Sequence, residues 1–164
     1  MISVCMATYN GQKYIKEQIT SILEQLGGND ELVISDDQST DSTLDIIKSF
    51  NDERIKVFVK SEKVTTDFPL DSATHNFANA LAHSKGDLIF LADQDDVWLP
   101  NHIKRLAEAL DTYDWALRDC NLVAAHLNVV YESIIKSRDP TLNLPSTPWS
   151  PCYHSCSKSL SREA

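Results

Sequence analysis

Asp87-Leu88-Ile89-Phe90-Leu91-Ala92-Asp93-Gln94-Asp95-Asp96 is the stretch on which the fold turns. Residues 87–92 form a short apolar run, the pattern of a strand buried on both faces. Three carboxylates then fall within four positions. They repel one another and are costly to desolvate, so something must offset their charge. A hard divalent cation does so, and Mg²⁺ or Mn²⁺ favours one or two carboxylates together with phosphate oxygens. A strand that delivers such a cluster at its C-terminal end puts it where open α/β sheets bind ligands. The plainer alternative is a solvated acidic turn that begins the next helix.

Upstream of this stretch, strand and helix patterns alternate. Ile2 to Ala7 is a short apolar run, with Gly11 marking the turn after it. Ile15, Ile19, Ile22, Leu23 and Leu26 recur at helical spacing, which predicts a helix over 12–26 that Gly27-Gly28 stops. Leu32 to Ser35 reads as a second strand running into Asp36-Asp37. Ser39-Thr40-Asp41-Ser42 offers N-cap oxygens for a helix whose apolar face is Leu44, Ile46, Ile47 and Phe50. Ile55 to Val59 alternates apolar and polar, a third strand. Residues 61–71 read as a loop and Ser72 to Ser84 as a helix closed by Gly86.

Downstream, Pro100 suits the first turn of a helix carrying Ile103, Leu106, Ala107 and Leu110. Leu122 to Tyr131 reads as one further strand. The alternation predicts an α/β fold with a mostly parallel, Rossmann-like sheet flanked by helices. Residues 1–138 form that domain. Residues 140–164 hold four of the six prolines and many serines with almost no apolar period, so 139–164 is expected to be an irregular tail, mobile or disrupted in frame.

The chain has 164 residues, enough for one domain with a real core. With 15 Lys and Arg against 24 Asp and Glu, its net charge is −9. That balance argues against a nucleic-acid partner or a polybasic membrane anchor, and leaves room for a nucleotide held through a metal ion. No stretch approaches the roughly 18 apolar residues of a membrane span, and Met1 to Asn10 lacks the basic start of a signal peptide. Four scattered cysteines make no disulfide framework, which points to the cytoplasm. Cys152-Tyr153-His154-Ser155-Cys156 has no second ligand pair at zinc spacing, so it is not read as a metal site. No G-x-G pair offers a phosphate loop.

In a parallel sheet the loops after the first, second and fourth strands emerge on one side. Thr8-Tyr9-Asn10, Asp36-Asp37 and Asp93-Gln94-Asp95-Asp96 can therefore share one ligand. Tyr9 can stack on a base, Asp37 can accept from a base N–H, and Asp95 can hold a metal on a diphosphate. Each also has a structural reading: Tyr9 as cover for the sheet edge, Asp36-Asp37 as a helix cap. An acidic pair after a strand is shared by phosphate-accepting receiver domains, although there it follows the first strand.

Val4 to Asn10, Val33 to Asp41 and Phe90 to Trp98 resemble, in order and spacing, the motifs of family 2 glycosyltransferases over about residues 1–138. Gln94-Asp95-Asp96-Val97-Trp98 is similar to bacterial rhamnosyltransferase-like members. The resemblance implies a GT-A fold and an inverting enzyme moving a sugar from a UDP- or dTDP-sugar to a saccharide or lipid-linked saccharide acceptor, in bacterial surface polysaccharide synthesis. It implies that Thr8, Tyr9 and Asn10 flank the nucleotide and that Asp37 contacts the base edge. Asn76 then lies near the nucleotide, Asp93 approaches the ribose and shares the Mn²⁺ or Mg²⁺ with Asp95, and Asp96 and Trp98 face the donor sugar or the acceptor. Peripheral association with the inner face of the membrane follows from a lipid-linked acceptor. The family places its general base well beyond the metal motif, where this chain has only the Pro/Ser-rich tail, so the C-terminal part of the fold is expected to be incomplete. The alternative is an inactive donor-nucleotide-binding fragment lacking the acceptor half and the base.

Overall fold

The computed structural model describes residues 1–62, 69–123, 127–132 and 158–161. Helices and strands alternate: β1 (Ile2–Thr8), α1 (Ile15–Leu23), β2 (Glu31–Asp36), α2 (Thr43–Ser49), β3 (Ile55–Val59), α3 (Pro69–His83), β4 (Leu88–Asp93) and α4 (His102–Leu110). Four short strands complete the described chain: β5 (Trp115–Leu117), β6 (Leu122–Val123), β7 (Val129–Tyr131) and β8 (Lys158–Ser161). The main sheet has the order β3-β2-β1-β4-β8-β5, with β3, β2, β1 and β4 all parallel. That order separates the protein from receiver domains, whose doubly wound sheet runs 2-1-3-4-5.

Both faces of the sheet are covered, which explains the unbroken apolar runs. Side chains alternate across it. Val4, Met6, Leu32, Ile34, Phe90 and Ala92 face one way, onto Ile15, Ile19 and Ile22 of α1, Ile47 of α2, and Ile103 and Leu106 of α4. Cys5, Val33, Ile89 and Leu91 face the other way, onto Ala80, Phe77 and Leu81 of α3.

Several boundaries differ from the expected ones. Helix α1 is shorter than 12–26, because residues 12–14 form a turn in which the Gly11 carbonyl accepts from Tyr14 N–H and Ile15 N–H. Helix α3 begins at Pro69, inside the expected loop. Pro100 precedes α4 rather than opening it, and Asn101 enters the helix in the left-handed conformation. The single strand expected over 122–131 is two strands, β6 and β7, paired antiparallel. Strand β5 is too short to show a period. Within the segment expected to be irregular, Lys158–Ser161 forms β8, antiparallel to both β4 and β5. The Cys152 to Cys156 cluster lies outside the described residues.

One glycine sets how closely the chain entering β4 approaches β1. A Cβ at Gly86 would lie 2.5 Å from the Ser3 nitrogen and 2.8 Å from the Ile2 carbonyl carbon. Gly86 N–H donates to Ser3 Oγ (2.7 Å), which in turn donates to the buried Glu31 (2.6 Å). Gly86→Ala must push backbone from backbone, at a cost of about 1–3 kcal/mol. Urea unfolding is expected to show a loss in that range with an unchanged slope.

Candidate functional site

Register across the sheet assembles the site. Thr8 at the end of β1 lies opposite Asp36, and Ala7 lies opposite Asp93. The loops after β1, β2 and β4 therefore leave the same edge side by side, as their sequence position requires of parallel strands.

At the first loop, Thr8 is buried and its hydroxyl donates to Asp36 (2.8 Å). The Thr8 carbonyl accepts from Asp37 N–H (2.9 Å) and from the Asn76 amide (3.0 Å). Thr8 thus braces the site from beneath. Tyr9 is 44% exposed and so offers a ring to a ligand. Asn10 takes a positive φ of 49°. Its N–H donates to Ser39 Oγ (2.9 Å) and its side-chain oxygen accepts from Thr40 N–H (2.9 Å). The corner is tied to the loop after β2 on that side.

The two aspartates after β2 have separate fates. Asp36 is fully buried and accepts from the Thr8 hydroxyl and from both Ser39 N–H (2.8 Å) and Ser39 O–H (2.6 Å). It stabilises the loop. Asp37 is buried with one oxygen 2.8 Å from the Lys60 ammonium, an ion pair whose side chains are 10% and 4% exposed, while its other oxygen accepts from Ser72 (2.7 Å). Asn76 is buried beside this group, and its side-chain oxygen has no hydrogen-bond partner among the described residues. Neither Lys60 nor Ser72 stood out in the sequence. Lys60 merely follows a strand and Ser72 opens the apolar stripe of α3.

The acidic loop is pinned to α1 at both ends. The Asp93 carbonyl accepts from the Gln18 amide (3.0 Å), and Trp98 N–H donates to Ser21 Oγ (3.0 Å). Asp93 is half-buried, Asp95 exposed and Asp96 half-buried. Burial, then the neighbouring Asp93 and Asp95 charges, push the Asp96 carboxyl up to about 8. Among the described residues no three His, Cys, Asp or Glu side chains are grouped to encircle an ion. A donor set of one or two carboxylates fits Mg²⁺ or Mn²⁺, which take their remaining ligands from phosphate and water.

Beyond the loop lies a cleft of about 260 Å³, lined by Asp96, Trp98 and Arg118 and by the apolar Leu99, Val123 and Val129. Trp98 is a buried floor rather than an exposed platform, stacked on His102 at 4.5 Å. Trp98 Nε1, His102 Nε2 and Arg118 Nη1 are buried there without hydrogen-bond partners among the described residues.

Burial, and then Arg118, hold the His102 imidazole down at about 4. Unfolding restores its ordinary value near 6.5, so between these values the unfolded chain binds the extra proton. His102 therefore costs nothing above pH 6.5 and destabilises progressively as pH falls toward 4, by roughly 2 kcal/mol at pH 5. Asp96 works in the opposite sense, because its folded form holds a proton below about 8. The His102 contribution is read as a difference. His102→Phe is expected to lose less stability than the wild type between pH 7 and pH 5, in urea titrations at each pH.

Residues 3–123 match the family described as Glycosyl transferase family 2. The chain belongs to glycosyl transferase family 2. It is 31% identical over 147 residues to the uncharacterized glycosyltransferase alr2836 of Nostoc sp., covering 89% of this chain and 41% of that one. It is 35% identical over 108 residues to the dTDP-rhamnosyl transferase RfbG of Shigella flexneri, covering 64% and 36%. S. aureus TarS 1–349, solved with UDP-GlcNAc, superposes with a TM-score of 0.57 at 27% identity, covering 71% of this chain and 32% of that one. The sheet is thus that of the GT-A glycosyltransferases. The chain spans 36–41% of the length of these curated relatives. No described helix is long and apolar enough to cross a membrane.

Proposed function

We propose that this chain binds a UDP- or dTDP-sugar at the C-terminal edge of its parallel sheet, as part of an inverting glycosyltransferase of bacterial surface polysaccharide synthesis. One observation carries the reading: an exposed Tyr9, the buried Asp37 and the Asp93–Asp96 loop converge from three different strands on one edge. No single one of these loops implies a nucleotide, but the aromatic ring and the base-reading carboxylate suit the base, and the acidic loop suits the ribose and diphosphate.

Tyr9 packs on the base and Asn10 fixes the corner that presents it. Asp37, paired with Lys60, accepts from a base N–H, with Asn76 beside it. Asp93 approaches the ribose. Asp93 and Asp95 are the residues that would hold Mn²⁺ or Mg²⁺. When bound, the ion neutralises the charge that builds on the departing diphosphate. Asp96 and Trp98 face the cleft, where an acceptor sugar hydroxyl would approach the anomeric carbon from the side opposite the diphosphate. The acceptor is a saccharide or a lipid-linked saccharide, and the apolar lining of the cleft suits the second. Inversion also requires a base for the acceptor proton, a role assigned to none of the described residues.

Calorimetric titration of UDP, dTDP and GDP into the protein, with Mn²⁺ and with EDTA, tests the proposal. Metal-dependent binding of UDP or dTDP supports it and names the base. Binding of none of the three, with the protein folded, overturns it.

A further inference from the structure

Gln94 is the uncharged member of the acidic loop, and its side chain is engaged elsewhere than in carboxylate chemistry. Its Oε1 accepts from Tyr9 N–H (3.0 Å) and its Nε2 donates to the Tyr9 carbonyl (3.1 Å), across 85 residues of sequence. The amide closes on the Tyr9 main chain as a strand partner would, one donor and one acceptor together. Only an amide side chain supplies both at that length.

The neighbouring sequence is shaped to this clasp. A Cβ at Gly11 would lie 2.4 Å from Gln94 Oε1 and 2.8 Å from its amide carbon. Gly11 does not adopt a positive φ, so the backbone itself would accept alanine. What a methyl at position 11 would meet is the amide end of Gln94, which would have to leave the clasp. The loop from which Gln94 projects is anchored to α1 through Gln18 and Ser21, so the clasp reaches the Tyr9 corner from a fixed base.

We infer that Gln94 is a positioning residue: from within the loop whose carboxylates serve the diphosphate, it sets the Tyr9 ring for the base of the same nucleotide. The inference rests on the donor-site reading above. Gln94 touches neither base nor phosphate in this role. It acts through Tyr9, so its effect falls on the base end although it lies between the two metal-binding aspartates.

The test uses Gln94→Ala, Gln94→Glu and Gly11→Ala, titrated with uridine, thymidine and guanosine 5′-monophosphates in EDTA and with the matching diphosphates in Mn²⁺. Loss of both hydrogen bonds is expected to weaken monophosphate binding about tenfold in Gln94→Ala. Gly11→Ala is expected to match it, because the new methyl evicts the amide while every loop side chain remains. Gln94→Glu sets a carboxylate oxygen against the Tyr9 carbonyl, acceptor facing acceptor, so its loss is expected to be at least that of Gln94→Ala, about tenfold. In Gln94→Ala and Gly11→Ala, which leave the loop's charge as it is, the ratio of diphosphate affinity with Mn²⁺ to that with EDTA is expected to stay within about twofold of wild type. Unchanged monophosphate binding in Gln94→Ala overturns the inference. So does loss of the Mn²⁺ enhancement alongside it, which marks general loosening of the loop. If the wild-type chain binds no nucleotide, the donor-site reading itself fails and the inference falls with it.

Discussion

Asp95→Ala is expected to remove the metal-dependent part of nucleotide binding, lowering UDP or dTDP affinity in Mn²⁺ by about 100-fold or more. Affinity in EDTA is expected to stay as it was, since Asp95 contributes to the diphosphate end only through the ion. The fold has no need of this carboxylate. Asp95 is exposed, and it is one of the charges that push Asp96 up to about 8. Removing it relieves repulsion within the loop, so the thermal midpoint is expected to hold or rise slightly. Calorimetry with Mn²⁺ and with EDTA, beside a thermal melt, separates the two effects. An unchanged Mn²⁺-dependent affinity would remove Asp95 from the metal site.

The second large effect concerns stability. Asp37→Ala leaves the Lys60 ammonium buried without its counter-charge and deprives Ser72 of its acceptor. Breaking a buried pair from one side costs about 3–5 kcal/mol, whereas replacing both partners by apolar groups is often close to neutral. Asp37→Ala is therefore expected to shift the urea midpoint strongly. Asp37→Ala combined with Lys60→Met is expected to recover most of the loss while still failing to bind the base. A loss below about 1 kcal/mol in the single variant would mean that the pair is solvated and not a buried ion pair. The two predictions assign opposite weights to two carboxylates that look alike in the sequence: Asp95 matters for binding and little for folding, Asp37 for both.

Most of the sheet was legible because it is buried on both faces. Ile2 to Ala7, Leu32 to Ser35 and the run ending at Ala92 are apolar but for Ser3 and Ser35, the pattern of a parallel strand covered on both faces. The helices over 15–23 and 102–110 were legible from their spacing. Strand β8 was not. Its four residues, Lys158-Ser159-Leu160-Ser161, sit in a Ser-rich segment with no period, and they pair because β4 and β5 each present an edge to be filled. Main-chain hydrogen bonds decide such a strand, and the side-chain pattern does not record them. The division into β6 and β7 left no mark in the side-chain pattern of residues 122–131, which was read as one strand.

That the acidic loop, the Thr8-Tyr9-Asn10 corner and Asp36-Asp37 share one edge was legible from strand ends alone, because parallel connectivity fixes which loops lie side by side. What each side chain does there was another matter. The sequence determined that carboxylates and one aromatic ring would reach that edge, through the period of the strands and the density of charge after them. The tertiary structure alone decided that Asp36 is spent on Thr8 and Ser39, that Asp37 pairs with Lys60, and that Gln94 holds Tyr9. Periodicity is a local property of a few consecutive residues. A hydrogen bond or ion pair depends on separations of about 3 Å between groups that lie tens of residues apart in the chain, and only the packed sheet sets those.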